Sequence, residues 1–181
     1  METRQSAPSG TASVGEKLNR LRAAVLGAND GIVSTAAVLV GVAGATNDTK
    51  AIATAGLAAV VGGAVSMALG EYVSVSSQRD SEETMGVEAH ERVNPWSAGV
   101  ASFFAFLLGA MLPFGAAMLA PASWRIGAIF ALTLVSLALT GALSAKLGNA
   151  KMGRSVMRIV IGGSLALAAT FIVGSLFGQS V

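Results

Sequence analysis

Polar residues in this chain gather in short clusters separated by long apolar runs, and the runs have the length of a bilayer crossing. A hydrocarbon core about 30 Å thick takes about 20 helical residues. Five stretches meet that requirement, at roughly 21–45, 51–76, 97–120, 124–146 and 157–177. Open strands would leave backbone N–H and C=O groups unpaired in lipid, so the runs are read as helices. The expected fold is an all-α integral membrane protein: five transmembrane helices in a single domain over 13–181, after a flexible polar tail over 1–12.

The clusters between the runs read as punctuation. Ser13-Val14-Gly15-Glu16 has the S-x-x-E spacing of a capping box, which starts a helix. Leu18, Leu21 and Val25 follow at spacings of three and four, predicting an amphipathic lead-in at the lipid surface that runs into the first span. Thr46 to Lys50 and Pro121-Ala122-Ser123 predict tight turns at one end of the bundle. The link over 79–94 is longer and holds Asp80, Glu82, Glu83, Glu88 and Glu91, half of the ten acids, together with the single histidine, His90.

Composition agrees with the pattern. Hydrophobic residues make up 53% of the 181 and charged residues 12%, against about 25% in a typical soluble domain. Lysine and arginine then orient the bundle. Arg4, Lys17, Arg20, Arg22, Arg79, Arg92, Lys146, Lys151, Arg154 and Arg158 fall at one end, and only Lys50 and Arg125 at the other. The positive-inside bias puts the N-terminus in the cytosol and, with five spans, the C-terminus outside. An odd span count disfavours a two-halves repeat, so a symmetric pathway is expected from a homodimer. The chain has no cysteine, which excludes disulfides, thiolate metal sites and thiol catalysis. No basic face interleaved with aromatics points to nucleic acid. Trp96 and Trp124, at span starts, read as interfacial anchors, and Arg158 as a side chain snorkelling to headgroups.

Candidate chemistry begins with cost. Only Asp30 and Glu71 among the acids fall inside predicted spans, and a charge at mid-bilayer costs from about 3 to more than 10 kcal/mol, so such groups face a partner, a cavity or an ion path. Asp30 lies nine residues in from Leu21, about 14 Å from the cytosolic end. The second span runs the other way, and Met67 lies nine residues before Ser76, at the same depth. Glu71 is one turn nearer the cytosol on the face of Met67. Two carboxylates and a thioether are therefore expected to converge between antiparallel neighbours. Gly27 and Gly31, and Gly56, Gly63 and Gly70 at seven-residue intervals, predict the close approach of those two helices. Such a mixed donor set leans toward a first-row transition metal: carboxylates suit hard ions, a thioether softer ones. Ser34, Thr35 or Ser66 hydroxyls, carbonyls and water would complete the shell.

Each of these residues has a plainer reading. Asn29-Asp30-Gly31 is also a turn signal, Met67 alone is ordinary packing, and Glu71 is near enough to the interface to snorkel. Glu88 and Glu91 share a face if their segment is helical, a weak candidate for cation capture; most charge runs are simply solvated.

Asn29-Asp30-Gly31-Ile32-Val33-Ser34-Thr35, with Gly62-Gly63-Ala64-Val65-Ser66-Met67-Ala68-Leu69-Gly70-Glu71-Tyr72-Val73-Ser74-Val75 and Gln78, resembles the vacuolar iron transporter family, especially its bacterial and nodulin-21-like members. The resemblance implies a five-helix homodimer that moves Fe2+ or Mn2+ out of the cytosol in exchange for protons, with no permanently bound cofactor. It implies that Asp30 and Met67 are the first-helix aspartate and second-helix methionine that bind the metal. Asp30 is then the group shared between metal and proton, and Glu71 an inner relay. The membrane would be the cytoplasmic membrane of a bacterium or the vacuolar membrane of a eukaryote. Two departures stand out. Vacuolar members carry a glutamate in the pattern GLAE, where this chain has Gly56-Leu57-Ala58-Ala59, and they insert a large glutamate-rich cytosolic domain where this chain has only the link over 79–94. The residues alone also allow a proton-coupled carrier of a small organic solute, or an assembly protein whose polar pair locks helices together.

Overall fold

A computed structural model describes residues 13–178; the expected polar tail over 1–12 lies outside the described residues. The described residues form five helices, α1 (Val14–Ala45), α2 (Thr49–Thr84), α3 (Pro95–Leu119), α4 (Arg125–Leu147) and α5 (Met152–Gly178). All five are long and apolar enough to cross a membrane, so the chain is a multi-pass membrane protein.

Helix ends follow local chemistry. The Ser13 hydroxyl accepts from the Glu16 amide at 3.1 Å, Asp48 from the Lys50 amide at 2.9 Å, and Asn94 from the amides of Trp96 and Ser97. Each supplies an acceptor to a first-turn donor that the helix leaves open. The turns at one end of the bundle fall at 46–48 and 120–124, where the sequence places them.

Two helices outrun their apolar stretches. α1 continues unbroken from Val14, so the predicted lead-in and the first span form one helix. α2 continues to Thr84, two turns beyond the apolar limit at Ser76. Its polar end is held by the Gln78 side chain donating to Glu82 at 2.9 Å, and helix in water needs no apolar face once such pairs support it. The link between α2 and α3 is correspondingly short. Glu82 accepts from the Val93 amide at 2.9 Å, and Arg92 pairs with Glu83 at 3.1 Å while donating through Nε to the Val87 carbonyl.

α1 is the central helix: it packs on all four others, whereas α2 packs along α1 and α3 and meets α4 at its first residue, where Arg125 donates to the Thr49 hydroxyl at 3.0 Å. Glycine decides how closely α1 and α3 approach. A Cβ at Gly27 would sit 2.5 Å from the Ser102 carbonyl oxygen, one at Gly31 would fall on the Phe106 carbonyl, and one at Gly109 on the Ala28 carbonyl. Gly27 and Gly31 therefore bring α1 against α3, not against α2 as their spacing alone suggests. A core of Ala36, Leu39, Val40, Ile52, Ala117, Ile129 and Leu167 fills the half of the bundle nearer those two turns.

Candidate metal-binding site

The turn that Asn29-Asp30-Gly31 could also signal does not form. α1 is helical throughout, because in lipid an open carbonyl costs more than the intrinsic reluctance of Asn, Asp and Gly to be helical. Asp30 is instead satisfied locally: the Ser34 hydroxyl, one turn on, donates to its Oδ1 at 2.6 Å. That bond lies within one helix. It leaves the other carboxylate oxygen free and fixes the side chain's direction.

Asp30, Met67 and Glu71 line one cavity of about 230 Å³, with Ser34, Ser66 and Phe106. The equal depth counted along two antiparallel helices is thus met in space. The third wall is a residue that sequence reasoning missed: Phe106 of α3, fully buried, presents its ring edge to Gly63. A Cβ at Gly63 would collide with that ring, so the glycine makes room for the aromatic floor and not for α1. Thr35, by contrast, turns into the protein interior with its hydroxyl lacking a partner and does not line the cavity. Ser66 and Gly70 are exposed, and nothing lies within 4 Å of a Cβ built at Gly70, so the cavity opens on the outer flank of α2.

Glu71 does not snorkel. It is 5% exposed, and Arg22 of α1 holds it with two bonds, Nη2 to Oε2 at 2.8 Å and Nη1 to Oε1 at 3.4 Å. Arg22 also donates to Asn19 Oδ1 at 3.3 Å. The forked guanidinium matches a carboxylate in this bidentate way, which a lysine ammonium does not. The same arginine counts as an ordinary positive-inside residue when only its sequence position is used.

The acidic link has no part in this cavity. Glu88 and Glu91 are exposed and lie in a turn closed by the Glu91 amide on the Glu88 carbonyl at 2.9 Å, so the shared helical face does not form. Glu88 lies 3.4 Å from His90 Nδ1. Among the described residues no three Asp, Glu, His or Cys side chains come together. A cation in the cavity would therefore be held by two carboxylates, a thioether and neutral oxygens, a set that matches a borderline transition metal better than a hard calcium cage.

Comparison with known proteins gives the same direction. The family model described as the VIT family matches residues 21–91 and 82–175, which takes in both site helices. The chain is 46% identical over 166 residues to "Vacuolar iron transporter homolog 1" of Arabidopsis thaliana, spanning 87% of this chain and 83% of that one. It is 45% identical over 167 residues to the Arabidopsis thaliana "Vacuolar iron transporter homolog 3", and 43% identical over 172 residues to "Vacuolar iron transporter homolog 1" of Oryza sativa subsp. japonica. The latter alignment covers 88% of this chain and 74% of the rice protein.

Proposed function

The chain belongs to the VIT family, and on that premise we propose that it exports a divalent transition metal, Fe2+ or Mn2+, from the cytosol in exchange for protons. The observation that carries the reading is the one cavity, deep in the membrane-spanning part of the bundle, into which Asp30, Met67 and Glu71 all turn. A carboxylate at that depth is expensive unless a cation or proton neutralises it, and the relatives' names attach iron to this architecture.

Exchange follows from the same groups. A metal binds the ionised carboxylate, and a proton occupies the same oxygens once the metal has left. Asp30 serves both, Ser34 aims it, and Met67 biases the choice toward softer ions. Metal reaches the site from the basic end of the bundle, which the lysine and arginine distribution assigns to the cytosol, together with the N-terminus. The cavity's open flank would expose polar groups to lipid in a lone protomer. A second copy packed on α1 and α2 covers it, so the working form is a homodimer with the path at its interface.

The cavity is lined by Asp30, Ser34, Ser66 and Glu71 as well as by Met67 and Phe106, a polar lining that suits an ion better than the mostly apolar sites of organic solutes. The assembly reading accounts for Arg22 with Glu71, which joins α1 to α2, but not for Asp30, whose bond to Ser34 stays within α1. The test is a panel of metals in proteoliposomes carrying a proton-sensitive dye. Fe2+ or Mn2+ flux accompanied by opposite proton movement, absent in correctly inserted Asp30→Ala, is expected. Undiminished flux in that variant refutes the site, and no flux of any metal in the parent refutes the function.

A further inference from the structure

We propose that Arg22 is an exchangeable counter-ion for Glu71, a tethered cation that an incoming metal must displace before Glu71 can join Asp30 and Met67. This rests on the metal-transport reading and specifies how its inner end is closed. Glu71 lines the site cavity, while Arg22 lines a second space of about 560 Å³, an apolar groove toward the basic end of the bundle between α1, α4 and α5. The ion pair joins the two. Arg22 sits eight residues before Asp30, about 12 Å along α1. Its guanidinium reaches Glu71 from the cytosolic side and has both carboxylate oxygens occupied.

Two observations argue for exchange against a fixed strut. First, the partners differ in burial: the Glu71 side chain is 6% exposed and that of Arg22 is 51% exposed, so the cation has a path away and the anion does not. Second, Arg22 has another seat. Asn29, two turns on along the same face of α1, lines the same groove, and its buried Oδ1 has no hydrogen-bond partner. A buried acceptor without a donor is uncommon and costly. A guanidinium that swings from Glu71 toward Asn29 gains that acceptor and keeps its exposed half in the groove. The metal then meets two free carboxylates, and the positive charge that guarded the site stands outside it. A monovalent ion gains too little from one carboxylate to displace a bidentate guanidinium, whereas a divalent ion bound by both carboxylates and the thioether gains enough. Arg22 thus makes entry selective for charge as well as for size.

The test is Mn2+ binding to the purified full chain in detergent, read by the loss of the free-ion paramagnetic resonance signal, in parent, Arg22→Gln, Arg22→Lys, Asn29→Ala, Glu71→Gln, the Arg22→Gln/Glu71→Gln pair and Asp30→Ala. Removing the competitor should tighten Mn2+ binding by about tenfold in Arg22→Gln, equivalent to about 1.4 kcal/mol, and by less in Arg22→Lys, which keeps the charge without the fork. Asn29→Ala should weaken binding, because the guanidinium loses its alternative. In the Glu71→Gln background Arg22→Gln should have no further effect. The double variant, which buries no unpaired charge, keeps the test open should Arg22→Gln fail to fold. Affinity equal to the parent's in Arg22→Gln and Arg22→Lys, with binding abolished in Asp30→Ala, overturns the exchange and leaves the site. An Asn29→Ala affinity equal to the parent's overturns the second seat. Full binding in Asp30→Ala overturns the metal site itself.

Discussion

Gly31→Ala adds one methyl group at the close contact of α1 with α3, at the residue next to Asp30. A Cβ at this position would meet the Phe106 carbonyl oxygen first, with the carbonyl carbon and Cα of Phe106 each at 2.9 Å. Carbon atoms rest at about 3.5–4.0 Å, so α1 and α3 must part by about 0.6–1 Å. The obstacle is backbone on both sides, and Gly27 and Gly109 hold the same interface equally close, so no rotamer change absorbs the shift. Overpacking costs about 1–3 kcal/mol, and a gap of this size forfeits a quarter to a half of each neighbouring dispersion contact, which puts the expected loss at about 2–3 kcal/mol. For a chain of this length that lowers the melting temperature by about 4–12 °C. Gly162→Ala is the control, because a Cβ there meets nothing within 4 Å, and its change should stay within about 0.5 kcal/mol. Thermal unfolding in detergent, followed by tryptophan fluorescence, reads both. Because Phe106 floors the cavity, Gly31→Ala should also slow metal flux. A Gly31→Ala protein that melts within about 1 °C of the parent refutes the packing argument.

Asp30→Asn keeps an oxygen for the Ser34 hydroxyl and removes the charge, so the protein should melt no lower than the parent yet lose metal affinity by about 100-fold or more, read by metal titration. Ser34→Ala removes the donor that aims Asp30; loss of an orienting bond should weaken Mn2+ binding by about 10–100-fold while costing no more than about 1.5 kcal/mol of stability. Met67→Leu conserves volume at a cost below about 1.5 kcal/mol and deletes the thioether, so the ratio of Fe2+ to Mn2+ flux in competition should fall.

What could be read from the chain divides along a physical line. Span number, turns and the shared level of Asp30 and Met67 depend only on helical rise and on the thickness of the hydrocarbon, so counting residues was enough. The same counting put Glu71 on the face of Met67. Its partner could not be counted, because Arg22 lies 49 residues away and meets it only through the lateral placement of α1 and α2. Gly27 and Gly31 announced a close approach without naming α3 as the helix approached, since small-residue spacing is blind to which neighbour fills the groove. Phe106 carries no signal that separates it from Phe104, which is 59% exposed two residues earlier. The Asn-Asp-Gly turn signal was outweighed by the need to pair every backbone group within the membrane, and the apolar limits of α1 and α2 marked the hydrocarbon boundary where the helices themselves run on.

The account stands on a metal ion seated between α1 and α2. The most direct measurement is anomalous diffraction at the manganese edge from crystals of the full chain grown with Mn2+. The account predicts a peak in the cavity, within about 2–3 Å of an Asp30 carboxylate oxygen and of the Met67 sulfur, that disappears in Asp30→Asn. Saturating Mn2+ with an empty cavity, or a peak that survives the loss of the Asp30 charge, would contradict it.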